Sequence, residues 1–325
     1  MRKIFGFITY VIVQILFIPF GIIGAIIIYY KQMHVSKKLG VSSTAIEIIN
    51  GRWTMDKFGL RKDPATVKLF NVLPNTSVLG QWLALFPLYL LKLIAGENLI
   101  YPTFKEAGKA TLANLVTSRT IFFDNLIGDS LKKSEQFVVM GAGFDTRCYG
   151  HLGQGDVVLY ELDKKQTQEL KKDFLHQANI DTSNVHFVNV DFSAENWYEK
   201  LSAAGYDKNK VTTFLWEGVT LYLAEEDIRN TLKEIKENTA IGSVIVADFY
   251  ARQFVNGDMF PGKKKSLEQL KMTNEELGFG LDFEGRSSQE LKSLIESENM
   301  KLGEVYYMGY QTKKSTWMAV TEIII

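Results

Sequence analysis

The sequence predicts an α/β fold with a mostly parallel sheet, on three observations. A short apolar run, Phe137-Val138-Val139-Met140, stops at Gly141-Ala142-Gly143. Three further apolar runs, at 157–160, 185–190 and 211–216, each stop at acids: Glu161-Leu162-Asp163, then Asp191-Phe192, then Glu217-Gly218. Helical stretches separate the runs. Strands that alternate with helices build parallel sheets, and such sheets bind ligands at the carboxyl ends of their strands.

Taken in order, residues 4–30 form an almost wholly apolar run, broken only by Thr9, Gln14 and Pro19. Arg2 and Lys3 precede it, and Lys31, Lys37 and Lys38 follow. It is too long for the core of a secretory signal and long enough for a membrane helix. Tyr29-Tyr30-Lys31 reads as an interfacial anchor. Residues 1–34 are therefore expected to be a membrane anchor, either spanning or lying in one leaflet. Residues 35–134 read as a helical cap. Within it, Pro64 marks the first turn of a helix and Leu73-Pro74-Asn75 its end. The apolar run 82–91 reads as cap core or as a second membrane-contacting surface, too short to span. Residues 109–131 read as one long amphipathic helix carrying Arg119 and Asp124.

Residues 135–325 read as the sheet domain. Its strands are the four runs above, then 243–249, 301–308 and 316–325, the last two as a terminal pair. Helices are expected at 164–177, 193–204, 225–238 and 287–298, with an insertion at about 250–283. The formal net charge of zero gives no basis for a nucleic-acid partner. One cysteine, Cys148, excludes an intramolecular disulfide, and none of the four histidines falls in a metal spacing, so no metal is expected.

The glycines without Cβ let backbone lie against a ligand. The acid about 20 residues past them is where a ribose diol is held. A dinucleotide fits poorly, because Thr146 stands where the fingerprint wants a third small residue and no phosphate-binding lysine follows. An adenosyl ligand without phosphates, S-adenosylmethionine, fits better.

Gly141-Ala142-Gly143-Phe144-Asp145-Thr146-Arg147, Tyr160-Glu161-Leu162-Asp163, Val190-Asp191-Phe192 and Leu215-Trp216-Glu217-Gly218-Val219-Thr220-Leu221-Tyr222-Leu223 together resemble the leucine carboxyl methyltransferase family, over about residues 50–325. The resemblance implies a Rossmann-like class I methyltransferase with a seven-stranded, mostly parallel sheet, a helical cap and S-adenosylmethionine as cofactor. It implies Gly141 and Gly143 beside the methionine portion, Asp163 on the ribose with Glu161 as second choice, Asp191 on the adenine amino group, and Phe192 against the ring. Glu217 is expected in the cofactor pocket, and Arg119 as a clamp on the methionine carboxylate. Lys57 is a weaker match to a cap lysine. Asp145 is expected to cap the helix after the glycine turn and Arg147 to bridge to Glu161.

Methyl transfer from a sulfonium needs two reactants positioned and water excluded. A carboxylate acceptor needs no general base, whereas a hydroxyl usually does, for which Tyr222 and Asp248 are the candidates. The anchor favours a small or lipid-like acceptor at the membrane, walled by the run 82–91 with Phe254, Met259 and Phe260. The donor is made in the cytoplasm, which places the catalytic domain there and the N-terminus outside. Two other readings stand beside this one: a nicotinamide-dependent oxidoreductase on the same sheet, and a non-catalytic membrane-bound module that keeps the fold.

Overall fold

The computed structural model describes residues 1–153, 155–192, 195–259, 277–283, 287–309 and 316–325. Seven strands form one sheet: β1 (Gln136–Met140), β2 (Val158–Asp163), β3 (Val185–Asn189), β4 (Thr212–Trp216), β5 (Val244–Tyr250), β6 (Lys301–Gly309) and β7 (Thr316–Ile324). Their order is β3-β2-β1-β4-β5-β7-β6. The first five pair in parallel, and β7 runs antiparallel between β5 and β6. This is the expected seven-stranded sheet with its terminal pair. The join between β6 and β7 lies outside the described residues.

β1 and β4 are buried along their whole length, which is why they read as continuous apolar runs. From β1 the chain winds one way to β2 and β3, then returns to start β4 on the other side. The order therefore reverses between β1 and β4, and a crevice opens beyond their carboxyl ends.

The helices before the sheet are α1 (Arg2–Tyr30), which continues through a π-helical turn, Lys31–Val35, into α2 (Ser36–Leu39), then α3 (Ser43–Lys57), α4 (Pro64–Val72), α5 (Val78–Ala95) and α6 (Leu115–Leu131). The Ser42 hydroxyl accepts from the Ala45 N–H at 3.0 Å and starts α3. Asp63 does the same for α4, with Pro64 at its first position as expected. The helix expected from 109 begins later, at Leu115. Thr111 and Asn114 bond reciprocally before it and stop the helix from reaching back. After the sheet begins come α7 (Lys165–Gln177), α8 (Trp197–Ala203), α9 (Glu225–Glu237), the short α10 (Arg252–Val255) and α11 (Gln289–Ser297). Asn196 caps α8; the start expected at 193 lies outside the described residues. Most of the insertion, including Phe260 and the lysines at 263–265, also lies outside them.

The cap has its own apolar cluster, in which Trp53 of α3 stacks on Phe70 of α4 at 4.9 Å. The run 82–91 belongs to the longer α5, of 18 residues, long enough to cross a bilayer. It does not wall the crevice. One side of α5 lies along α3: Gln81 donates to Asn50 at 3.1 Å, Trp82 meets Trp53 at 5.6 Å, and Lys92 donates to the Lys57 carbonyl at 3.0 Å. Its other side carries α1. Phe17 stacks on Phe86 at 5.1 Å, Gly6 lies against Ile94, and Gly24 against Gly80, so the two helices are antiparallel. A Cβ on Gly24 would stand 2.6 Å from the Gly80 carbonyl oxygen, a close approach that only small residues permit.

Candidate active site

The crevice holds a cavity of about 960 Å³ between the β1 and β4 ends and α3. Gly141 and Gly143 both have positive φ, 68° and 43°. At Gly141 this is obligatory twice over, because a Cβ there would come within 2.5 Å of a Val219 methyl carbon. The backbone N–H of Gly143 donates to Asp163 Oδ2 at 2.5 Å, and Lys164 N–H donates to Oδ1 at 2.7 Å. The carboxylate at the end of β2 thus tethers the glycine turn and keeps unused lone pairs toward the cavity it lines. Burial raises the Asp163 pKa above the usual carboxylate range, and the Gly143 and Lys164 amides oppose the rise. Glu161, two residues earlier, is enclosed and paired with Lys171 of α7 at 2.7 Å. Between the two acids expected for a ribose, Asp163 is the one at the cavity. Asp191 and Phe192, just past β3, line the same wall; Lys164 Nζ stands 3.1 Å from Asp191.

Behind the glycine turn lies a buried network of four arginines and five carboxylates. Arg61 meets Asp63 and Asp124, and Arg147 meets Asp124 at 2.7 Å and both Asp145 and Glu217 at 2.5 Å. Arg52 meets Asp145 at 2.8 Å and Glu217 at 3.0 Å. Arg119 meets Asp248 at 2.6 Å and Glu217 at 3.4 Å. Three guanidiniums therefore share Glu217. The bridge expected from Arg147 to Glu161 is not made; the β2 acid has Lys171 instead, and Arg147 turns toward the cap. Asp145 accepts from the Arg147 N–H at 2.7 Å and anchors two arginines; the cap position of the following helical turn, Arg147–Tyr149, is Thr146 and not Asp145 as expected. Thr146, the departure from a dinucleotide fingerprint, bonds Thr66 of α4 at 2.7 Å.

Arg119 lines the cavity, but Nε and Nη2 are both given to Asp248 and Nη1 stands 3.4 Å from Glu217, so its whole fork is engaged by the chain's own acids. Asp248 itself is wholly enclosed and accepts from the Gly218 N–H at 2.8 Å. It orients Arg119 and the β4 turn and does not reach the cavity, which removes it as a general base. Tyr222 does line the cavity, with its hydroxyl 3.0 Å from that of Thr44. Arg52 also lines it and was not singled out as a site residue; its Nε is buried with no hydrogen-bond partner in the described residues. Lys57, at the far end of α3, points to Asp56 and the Trp53 ring instead. Phe254 lines the cavity as expected, while Met259 packs against the sheet core and the run 82–91 lies elsewhere.

The network sets the charges. Burial would raise Asp145, but Arg147 and Arg52 outweigh it and hold the carboxyl far below its usual range. Burial opposes ionisation of Glu217 and Asp124 too, and the adjacent arginines again win. Folded values below unfolded ones mean stability that is present above about pH 4 and lost as pH falls toward the folded values. The urea midpoint should therefore drop below about pH 4, and Glu217→Gln, which cannot ionise there, should show a smaller acid-dependent drop. An equal drop in both proteins would place the acid sensitivity elsewhere.

Residues 93–236 match the leucine carboxyl methyltransferase family. The Bacillus subtilis (strain 168) protein YktD, which carries an S-adenosyl-L-methionine-dependent methyltransferase designation, is 29% identical over 174 residues, 53% of this chain and 55% of YktD. A Mycobacterium marinum protein with the same designation is 31% identical over 183 residues, 54% of this chain and 53% of its own. This chain spans about half the length of these curated relatives. Among solved structures, the S-adenosylmethionine-dependent methyltransferase SibL in its apo form overlaps at a TM-score of 0.42, with 10% identity over 65% of this chain and 57% of SibL. The matched segment, residues 93–236, is thus similar to the leucine carboxyl methyltransferase family, and the relatives that overlap it carry S-adenosyl-L-methionine-dependent methyltransferase designations.

Proposed function

We propose that this chain transfers a methyl group from S-adenosylmethionine to an oxygen, carboxylate or hydroxyl, of a small or lipid-like acceptor at a membrane. One observation carries the reading: a glycine turn, closed to a Cβ at Gly141 and at positive φ at Gly143, is bonded to Asp163 at the rim of the cavity, with Asp191 and Phe192 at the next strand end. That is a cradle for an adenosyl group with no phosphate site attached. About 960 Å³ lies at the upper end of the range for ligand pockets, about 300–1,000 Å³, and leaves room for a second reactant.

S-adenosylmethionine, when bound, supplies a methyl group already activated on its sulfonium. The chain's own residues bind and position. Asp163 accepts from the ribose hydroxyls, Asp191 from the adenine amino group, and Phe192 covers the ring. Gly141 and Gly143 admit the methionine portion, and Glu217 with its arginines forms the charged floor beneath it. Arg119 and Arg52, which line the cavity while paired with the chain's own acids, set positive charge toward the carboxylate. The acceptor side is apolar, with Leu115, Val116, Leu221 and Phe254 around Tyr222. A carboxylate acceptor arrives as its own nucleophile there; for a hydroxyl, Tyr222 is the residue placed to take part.

Calorimetry with S-adenosylmethionine and with NAD tests the donor, and transfer of labelled methyl from donor to a total cell extract tests the acceptor. Donor binding with label in a base-labile or ether-linked lipid-extractable product is the expected result. Binding of NAD in place of the donor, or donor binding with no transfer to any fraction, overturns the reading.

A further inference from the structure

α1 is inside out for a helix in water. Between residues 4 and 30 every exposed side chain is Ile, Leu, Val, Phe, Ala, Pro or Tyr. Its hydrogen-bonding side chains other than tyrosine, Thr9 and Gln14, are half-buried, and Gly6 and Gly24 are buried against α5. A helix packed on a soluble body turns its polar face outward; this one turns outward the face that water least accepts. Its charge is one-sided as well. No acid precedes Glu47, whereas Arg2, Lys3, Lys31, Lys37 and Lys38 stand at the two ends.

The packing fixes how such a helix meets a bilayer. α5 runs beside α3 and meets it through long side chains, from Gln81 to Lys92, and α1 lies flat on α5 from Gly6 to Ile28. Both ends of α5 return to the body: Asn75 bonds Ser36 before it, and Asn98 bonds the Phe58 carbonyl after it. A bilayer crossed by α1 in this arrangement would have to swallow α3, with Arg52, Asp56 and Lys57. A second copy of the chain is a poor cover. Paired parallel, two α1 helices would set Lys31, Lys37 and Lys38 against their copies, and paired antiparallel against Arg2 and Lys3, of which Lys3 alone is met by an acid, Glu97 at 2.6 Å.

We propose that α1 docks lengthwise in one leaflet of an anionic membrane, with its lysine-bearing ends at the headgroups and the whole body on one side. This rests on the membrane part of the proposed function and not on its chemistry, since no donor or transfer enters the test.

Cys148 is buried, so single cysteines introduced in the full chain at Ile4, Ile15 and Ile26, all exposed, can be labelled cleanly with an environment-sensitive fluorophore. Full-length protein is added to sealed vesicles of phosphatidylcholine alone or with phosphatidylglycerol. All three labels should report the same shallow depth, and all should be quenched by lipids brominated near the headgroup. Binding should be much tighter with phosphatidylglycerol, and Lys31, Lys37 and Lys38 replaced together by Gln should lose about 100-fold of it. A deep label at 15 between shallow ones at 4 and 26 means a spanning helix and overturns the proposal. So does equal binding to both vesicle types, or no binding alongside a stable dimer in sedimentation.

Discussion

Replacing Glu217 by alanine should lower the unfolding free energy by about 3–5 kcal/mol, the cost of stranding buried charge. The reason is geometric. Arg52, Arg119 and Arg147 come from α3, from α6 and from the turn after β1, and all three lie within 3.4 Å of this one carboxylate. Without it, Arg147 keeps Asp124 and Asp145, and Arg119 keeps Asp248, but three guanidiniums face one another with little solvent between them. Urea unfolding followed by circular dichroism measures the loss. Glu217→Gln should recover part of it by keeping two polar contacts. A change below about 1 kcal/mol, the size typical of exposed pairs, would mean that water reaches the network and the pairing is loose.

Asp163→Ala should weaken S-adenosylmethionine binding by about 10–150-fold, the range for losing a charge-assisted hydrogen bond of about 1.5–3 kcal/mol. The carboxylate also holds the Gly143 N–H at 2.5 Å, so the variant loosens the cradle as well as removing the ligand contact. The fold should survive, because Asp163 ends its strand at the rim and the amides it releases there can be hydrated. Calorimetry on a variant with native circular dichroism decides it. Unchanged affinity would take the ribose role away from this acid, and Glu161 could not inherit it while enclosed with Lys171.

The glycine turn and the strand-end acids that line the cavity were legible because their signals are local. A glycine that must take positive φ, or an acid that ends an apolar run, is visible within four or five residues. The arginine network was not. Arg52 has Asp56 one turn further on, the partner a helix pattern would assign; instead Asp56 accepts from the Asp63 N–H at 2.9 Å, and the partners of Arg52 lie 93 and 165 residues away. Asp248 obeys the same strand-end rule as Asp163 and misleads, because β5 continues to Tyr250 and keeps it inside the sheet. Apolar runs carry a related ambiguity. Hydropathy marks 82–91 as unable to face water but does not say whether cavity, core or α1 covers it. The start of α6 was overestimated because the Thr111–Asn114 box punctuates a stretch that remains periodic through it.

The position of Arg52 settles whether α3 can serve as a lid. It roofs the cavity, and helices in that place often swing aside to admit a ligand. Here the roof is bolted down: raising it would pull one guanidinium off Asp145 and Glu217 together, in a setting that excludes water. Roof and sheet therefore open only when the whole domain opens, and amide exchange in α3 should be as slow as in β4; fast exchange there would show a working hinge. Ligand therefore enters and leaves the cavity without α3 swinging aside.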